Sequence, residues 1–218
     1  MITKTRTFTV IVGDLVHSRN ISGRQQLSRK IPLLIESVSK KYRKEFYAPL
    51  IQVKGIDELS GVLKQSTMSY RICKLLNEAV YPNLFRFAVV RGVLDIAIDS
   101  RDITKMDGPA FHTAADMIKQ AKKKNLYYCF DLGQEFTQLN LLLNELPNLV
   151  HILRSSWSKH QRCVVQFYEK FGTQKAVAKQ LGITQQAVSD ALRQAHWKEL
   201  KQAEDIIDQV LKESYSNK

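Results

Sequence analysis

Residues 161–195, QRCVVQFYEKFGTQKAVAKQLGITQQAVSDALRQA, decide how this chain is read. They spell two short helices about a tight turn. Thr173 suits the cap of the first helix, where its hydroxyl accepts from free N–H groups, and Gly182 ends that helix by taking the left-handed conformation. Thr184 then caps the second. Val177, Leu181, Ile183, Val188 and Ala191 fall where two helices crossing steeply must bury side chains, and Ala178 is small at their closest approach. Gln185, Gln186, Ser189, Asp190 and Arg193 are left outward near the start of the second helix, the part that enters a major groove in a helix-turn-helix.

A plain helical hairpin packed into a core would satisfy the same spacing. The exposed set separates the two readings. Gln, Ser and Arg carry the donors and acceptors that base edges need, while Lys175, Lys179, Arg193 and Lys198 suit phosphates. The expected DNA-binding residues are therefore Lys175, Lys179, Thr184, Gln185, Gln186, Ser189, Arg193 and Lys198. Residues 157–171 have the periodicity of a support helix. The triplet resembles the DNA-binding region of sigma-factor-like and response-regulator-like transcription proteins.

Charge agrees with a polyanionic partner. The chain has 33 basic and 21 acidic residues in 218, a formal charge of +12, which favours salt-sensitive binding to nucleic acid. The excess is spread: residues 151–218 hold 11 basic and 7 acidic groups, and residues 1–150 hold 22 and 14. The N-terminal part is thus also a candidate for contact with nucleic acid or a phosphorylated ligand. The runs Lys40-Lys41-Tyr42-Arg43-Lys44 and Lys122-Lys123-Lys124 read more simply as solvated lysine. No secretory signal is expected from the polar residues 1–9, and no stretch approaches the roughly 20 apolar residues of a membrane helix. Cys73, Cys129 and Cys163 are odd in number and scattered, which argues against disulfides and structural zinc and for a cytoplasmic protein without a membrane partner.

Working back from the helical stretch, residues 133–156 read as a packed helical connector with leucines at 139, 142, 143 and 146. Ahead of it, residues 8–12 (FTVIV) read as a buried central strand ending at Gly13-Asp14. Residues 22–43 read as a helix that Pro32 kinks, unless Pro32 lies near its true start. Residues 50–53 and 59–63 flank Lys54-Gly55-Ile56-Asp57-Glu58, as two strands or a strand running into a helix. Residues 66–77 are helical, 85–93 (FRFAVVRGV) a strand continued through 94–98, 108–123 a long helix and 126–130 a late strand. The order β-α-β-β-α-β is the ferredoxin-like split βαβ plan. The fold class expected is α+β: a palm-like domain over 1–132, the connector over 133–156 and an all-α helix-turn-helix domain over 157–218.

In that plan the first strand and the second hairpin are central neighbours. Asp14 and Asp57 would then stand close enough to hold Mg²⁺ with a nucleotide phosphate. The competing reading is that Asp14 caps a turn and Asp57 shapes the hairpin bend. Arg19, Lys54 and Arg91 are candidate phosphate-binding cations.

Three blocks, Gly13-Asp14-Leu15-Val16-His17-Ser18-Arg19, Ile56-Asp57-Glu58-Leu59-Ser60-Gly61 and Asp107-Gly108-Pro109-Ala110-Phe111, resemble the GDxVxSR, GDEFQG and DGPAF blocks of the SatD family, whose members commonly carry a C-terminal helix-turn-helix. More remotely the blocks resemble the palm of class III nucleotide cyclases, in which Asp14 and Asp57 would take the places of two metal ligands. The resemblance weakens beyond them. Ile56 replaces the hairpin glycine, and His112 and Asp116 stand where an Asn and an Arg would steady phosphates. An acid cannot stabilise developing phosphate charge. The expectation is therefore a DNA-binding transcriptional regulator whose palm-like domain senses a nucleotide-like effector or dimerises. A metal-dependent nucleotidyl transferase or cyclase using Asp14 and Asp57 is the alternative.

Residues 196–214 lack Gly and Pro and read as one terminal helix. Leu200, Ala203, Ile207, Val210 and Leu211 form an apolar stripe along it. This stripe is the expected homodimer contact, unless it packs on the chain's own helix at residues 139–153.

Overall fold

The computed structural model of the chain describes residues 6–18, 21 and 23–216. They form an α+β protein of two compact units, one running to Asn144 and including the chain from Asp208 onward, the other Glu145–Ile207. The unit boundaries fall within two helices, α4 (Thr137–Ser155) and α8 (Trp197–Ser216). No helix among the described residues is long and apolar enough to cross a membrane.

The first unit is a five-stranded mixed sheet in the order β2-β3-β1-β4-β5. Its strands are β1 (Thr7–Leu15), β2 (Phe46–Lys54), β3 (Glu58–Leu63), β4 (Phe85–Val93) and β5 (Tyr128–Asp131). β1 is antiparallel to both β3 and β4, β2 is antiparallel to β3, and β5 is parallel to β4. β1 is central because its apolar run is continuous: Phe8, Val10, Ile11 and Val12 are all buried, as a strand covered on both faces requires. Phe8, Val10 and Val12 pack in one cluster with Val62, Ala88, Val90 and, from helix α3 (Pro109–Lys124), Ala110, Ala114 and Ile118. Strand alternation turns Ile11 and Leu15 to the other face. There helices α1 (Arg24–Lys41) and α2 (Ser69–Val80) bury Leu27, Ile31, Ile35, Ile72, Cys73 and Leu76.

Gly13 is a packing requirement of that face. A Cβ there would lie 2.8 Å from the Phe87 ring and 2.9 Å from the Leu59 side chain. The segment between β2 and β3 is a hairpin turn and not the start of a helix: Asp57 N–H donates to the Lys54 carbonyl at 3.0 Å, and Lys54 pairs with Glu58. Pro32 lies inside α1, well past its start, at an exposed position.

The expected continuation of β4 through residues 94–98 does not form. β4 ends at Val93, which pairs with Thr7 at the first residue of β1. Ile96 makes only an isolated bridge to Asp107, and Ile98–Ser100 makes a short 3-10 turn. At the other edge of the sheet, α4 covers β5 with polar side chains. Asn144 accepts from Phe130 N–H at 2.9 Å and donates to the Phe130 carbonyl at 2.8 Å, and Asn140 accepts from Leu132 N–H. Those bonds occupy backbone groups that an edge strand otherwise leaves free.

The second unit contains α5 (Lys159–Phe171), α6 (Gln174–Leu181) and α7 (Gln185–Gln194). Its interior is built from Val164, Val165, Val177, Ala178, Val188, Ala191, Leu192 and Leu200, and the Trp157 indole N–H donates to the Ala195 carbonyl at 2.9 Å. The stripe on α8 corrects an expectation. Leu200, Ile207, Val210 and Leu211 are buried within the single chain, so this face is not open to a second copy.

Candidate functional site

Two places in the chain gather the residues singled out from the sequence. The first is the α6–α7 pair. Thr173 Oγ1 accepts from Ala176 N–H at 3.3 Å, and Thr184 Oγ1 accepts from Ala187 N–H at 3.1 Å. Gly182 closes α6 at φ 66°, with its N–H on the Ala178 carbonyl. Each helix is thus started and stopped by the residues the local chemistry calls for. Val177, Val188 and Ala191 are buried as expected, while Leu181 and Ile183 are half-buried.

Lys175, Lys179, Thr184, Gln185, Gln186, Arg193 and Lys198 are all exposed, and Ser189 is half-buried. Asp190 is a member of this face whose role sequence reasoning missed. Its two carboxylate oxygens take separate partners: Oδ1 receives Arg193 Nη2 at 2.8 Å and Oδ2 receives Gln186 Nε2 at 3.2 Å. The spacing i, i+4, i+7 is visible in the sequence, since it puts all three on one helical stripe. Behind the face, Arg154 joins Glu204 at 2.8 Å and Glu169 at 3.2 Å and lies over the Trp157 ring. Burial, with the Arg162 charge adding to it, pushes the nearby His151 imidazole down to about 4, so that ring is neutral at pH 7.

The second place is a cleft of about 650 Å³ where β1 ends beside the β2–β3 turn. Leu15 N–H donates to the Asp57 carbonyl at 2.7 Å, which ties the two segments together. In the sheet register Asp14 stands between Glu58 on β3 and Arg86 on β4. Asp14, Asp57, Glu58, Lys54, Arg86 and Lys122 all line the cleft. Asp14 and Asp57 are therefore neighbours of one cavity, as expected, but each meets a basic side chain. Lys122 Nζ lies 2.7 Å from Asp14 Oδ1, and Arg24 Nη2 lies 3.5 Å from Asp57 Oδ1. Among the described residues no three His, Cys, Asp or Glu side chains converge on a metal position. A hard cation such as Mg²⁺ takes oxygen ligands, and here an ammonium already neutralises the first of the two carboxylates. The side chains present fit a resident divalent ion poorly.

Of the candidate cations, Lys54 lines the cleft, Arg19 lies outside the described residues, and Arg91 points elsewhere, to Glu135 at 3.8 Å and over the Phe136 ring. His112 pairs with Asp107 at 3.3 Å, and the Lys119 ammonium at 2.9 Å holds the exposed Asp116 carboxyl below its usual range. Neither His112 nor Asp116 lines the cleft. In the sequence, Lys122 reads as a solvated lysine. A topological signal pointed the other way: α3 follows β4 and returns antiparallel to it, so its last turn comes back to the level where β4 begins, beside Asp14.

No curated protein matches the chain. The profile of the SatD family matches residues 8–210, nearly its whole length, and the chain belongs to the SatD family.

Proposed function

We propose that this SatD-family chain is a DNA-binding transcriptional regulator, in which α5, α6 and α7 form a helix-turn-helix and α7 is the recognition helix. One observation carries the reading. Two capped helices joined at Gly182 leave Gln185, Gln186 and Arg193 exposed on α7, flanked by the exposed Lys175, Lys179 and Lys198. Amide groups at the start of a recognition helix are base readers, the guanidinium of Arg193 stands in the last turn of the same helix rather than near its start, and the lysines around them suit backbone phosphates.

The sheet unit supports the ferredoxin-like, palm-like assignment of the N-terminal part. The order β4-β1-β3-β2, with every neighbouring pair antiparallel, is that of the split βαβ plan, and β5 extends it beside β4. On this reading the cleft at Asp14 and Asp57 takes an effector with both anionic and cationic or hydrogen-bonding groups, a nucleotide-like compound among them, and the protein works in the cytoplasm. The alternative, a metal-dependent nucleotidyl transferase, is disfavoured by the ammonium of Lys122 on Asp14.

Selection of genomic fragments by the purified chain, followed by gel shifts, tests the reading. A duplex bound in preference to its scrambled version supports it. Absence of any duplex binding at about 50 mM salt, where the phosphate contribution is strong, rejects it.

A further inference from the structure

The outer edge of the sheet carries a groove that the function above does not use. It runs between α1 and β2, has a volume of about 700 Å³ and belongs wholly to the sheet unit. Pro32 and Ile35 of α1 and Pro49, Leu50 and Ile51 of β2 line its apolar part. Ile35 and Leu50 are buried, Ile51 is half-buried, and both prolines are exposed. Cations gather at one end. Lys40 stands in the last turn of α1 and Arg43 just beyond it, both exposed on the groove, and neither has an ion pair among the described residues. Glu36, one turn before Lys40, is the carboxylate that lines it. Ser39, half-buried on the same stripe of α1, has a hydroxyl oxygen with no hydrogen-bond partner, and a buried polar atom left so needs an explanation.

We infer that this groove binds a small amphipathic monoanion, an apolar body ending in a carboxylate. Size and lining both fit: pockets for small organic ligands hold about 300–1,000 Å³ and are mostly apolar with a few placed polar groups. The body replaces water over Ile35, Leu50, Ile51 and the two prolines. The head lies at the Lys40–Arg43 end, where an ammonium and a guanidinium make short, strong hydrogen bonds to a carboxylate, and where the Ser39 hydroxyl gains an acceptor. Glu36 repels a second negative charge, which favours a monoanion over a phosphate ester or a dicarboxylate. The other occupant that a sheet edge invites is a strand from another chain. β2 is built against it. No strand but β3 pairs with β2 among the described residues, yet the exposed Pro49 supplies no N–H and the register shifts three times along the pairing. Proline and bulges are the devices that keep strands off an edge. The groove beside that edge therefore takes a compact ligand and not an extended chain.

Proton–nitrogen correlation spectra of the full chain, titrated at pH 7.5 with octanoate and separately with 4-phenylbutyrate, test the site without DNA. At least one of the two acids should saturate with a Kd of about 1 mM or below, moving first the amides of residues 32–52. The tighter acid tells whether the body is a chain or a ring. The alcohols of the same bodies, 1-octanol and 4-phenylbutanol, carry no charge and should bind about tenfold more weakly or worse. Lys40→Gln combined with Arg43→Gln changes two exposed positions, so the rest of the spectrum should stay as it is. That variant should lose about tenfold or more in affinity for the acid and nothing for the alcohol. Pro32→Glu, which puts a charge into the apolar part, should weaken both. No saturable shift with either acid up to about 10 mM overturns the inference. Shifts centred elsewhere, an alcohol that binds as tightly as its acid, or a double variant that binds the acid as the wild type does would each overturn it as well.

Discussion

Asp190 and Arg193 face each other across one turn of α7, with Arg193 Nη2 2.8 Å from Asp190 Oδ1. The Arg193 side chain is otherwise largely open to solvent, 78% exposed. Asp190 also takes Gln186, so one carboxylate aims two of the side chains proposed to read bases. A side chain held in place loses less conformational freedom when it binds, and a planar guanidinium gains most from such aiming. Asp190→Ala should therefore cut discrimination between the selected duplex and a scrambled one by about tenfold, a size typical of one well-placed base contact. Binding to the scrambled duplex should hold or tighten, because a negative charge near phosphate is gone. Competition anisotropy measures both. Unchanged discrimination would remove Asp190 from any aiming role.

Arg193 and Lys179 should separate by kind of effect. Arg193→Ala should cost about 1–3 kcal/mol on the selected duplex and relax preference at one base position. Lys179→Ala should weaken binding to all duplexes alike and reduce the salt slope by about one phosphate. Anisotropy titrations at several salt concentrations on both duplexes distinguish these patterns. Equal losses on every sequence for both variants would show that Arg193 contacts backbone only.

How much of this was legible in the sequence depended on distance along the chain. Thr173, Gly182 and Thr184 act on N–H groups within a few residues of themselves, and the two helices start and stop where those residues place them. The central strand was legible because an unbroken buried run has few alternatives. Lys122 is 108 residues from Asp14, and no local pattern links them; only the return path of α3 does. α8 shows a different limit. An amphipathic stripe states that a face is covered without stating by what, and the cover is the chain itself. In α4 the leucines spread over about half of the helix circumference, so periodicity could not say which of them lay inside. Packing decided it, with Leu143 buried and Leu141 out.

The Lys122–Asp14 pair leads to a chemical prediction. Incubated with ATP or GTP and Mg²⁺ or Mn²⁺, the chain should form no cyclic product, since the first of the two carboxylates is neutralised by an ammonium and Asp116 is committed to Lys119. Lys122→Met removes a partly exposed ion pair and should cost no more than about 1 kcal/mol in urea unfolding. Chromatography of the nucleotide reaction decides the first point. A cyclic product that disappears in Asp14→Ala would promote the enzyme reading over the regulator.

His151 sets a pH dependence within the second unit. The residue is 9% exposed, and burial, assisted by Arg162, pushes its imidazole down to about 4 from an ordinary 6.5. The folded form therefore binds this proton less readily than the unfolded chain. Between pH 6.5 and 4 the unfolded state holds more protons, and stability rises with pH across that window. The contribution is fully present above about pH 6.5 and is lost as pH falls toward 4. With those two values the loss reaches about 2 kcal/mol at pH 5 and about 3 kcal/mol below pH 4. His151→Gln keeps a polar group near Ser155, whose hydroxyl lies 3.3 Å from Nε2, but carries no titrating proton. Urea unfolding of both proteins at pH 7.5 and pH 5 gives the comparison. The wild-type chain should lose about 2 kcal/mol more than the variant between those two pH values. Equal losses would mean that the buried ring takes up its proton without penalty, through water entering beside Arg162 or a local opening of α4.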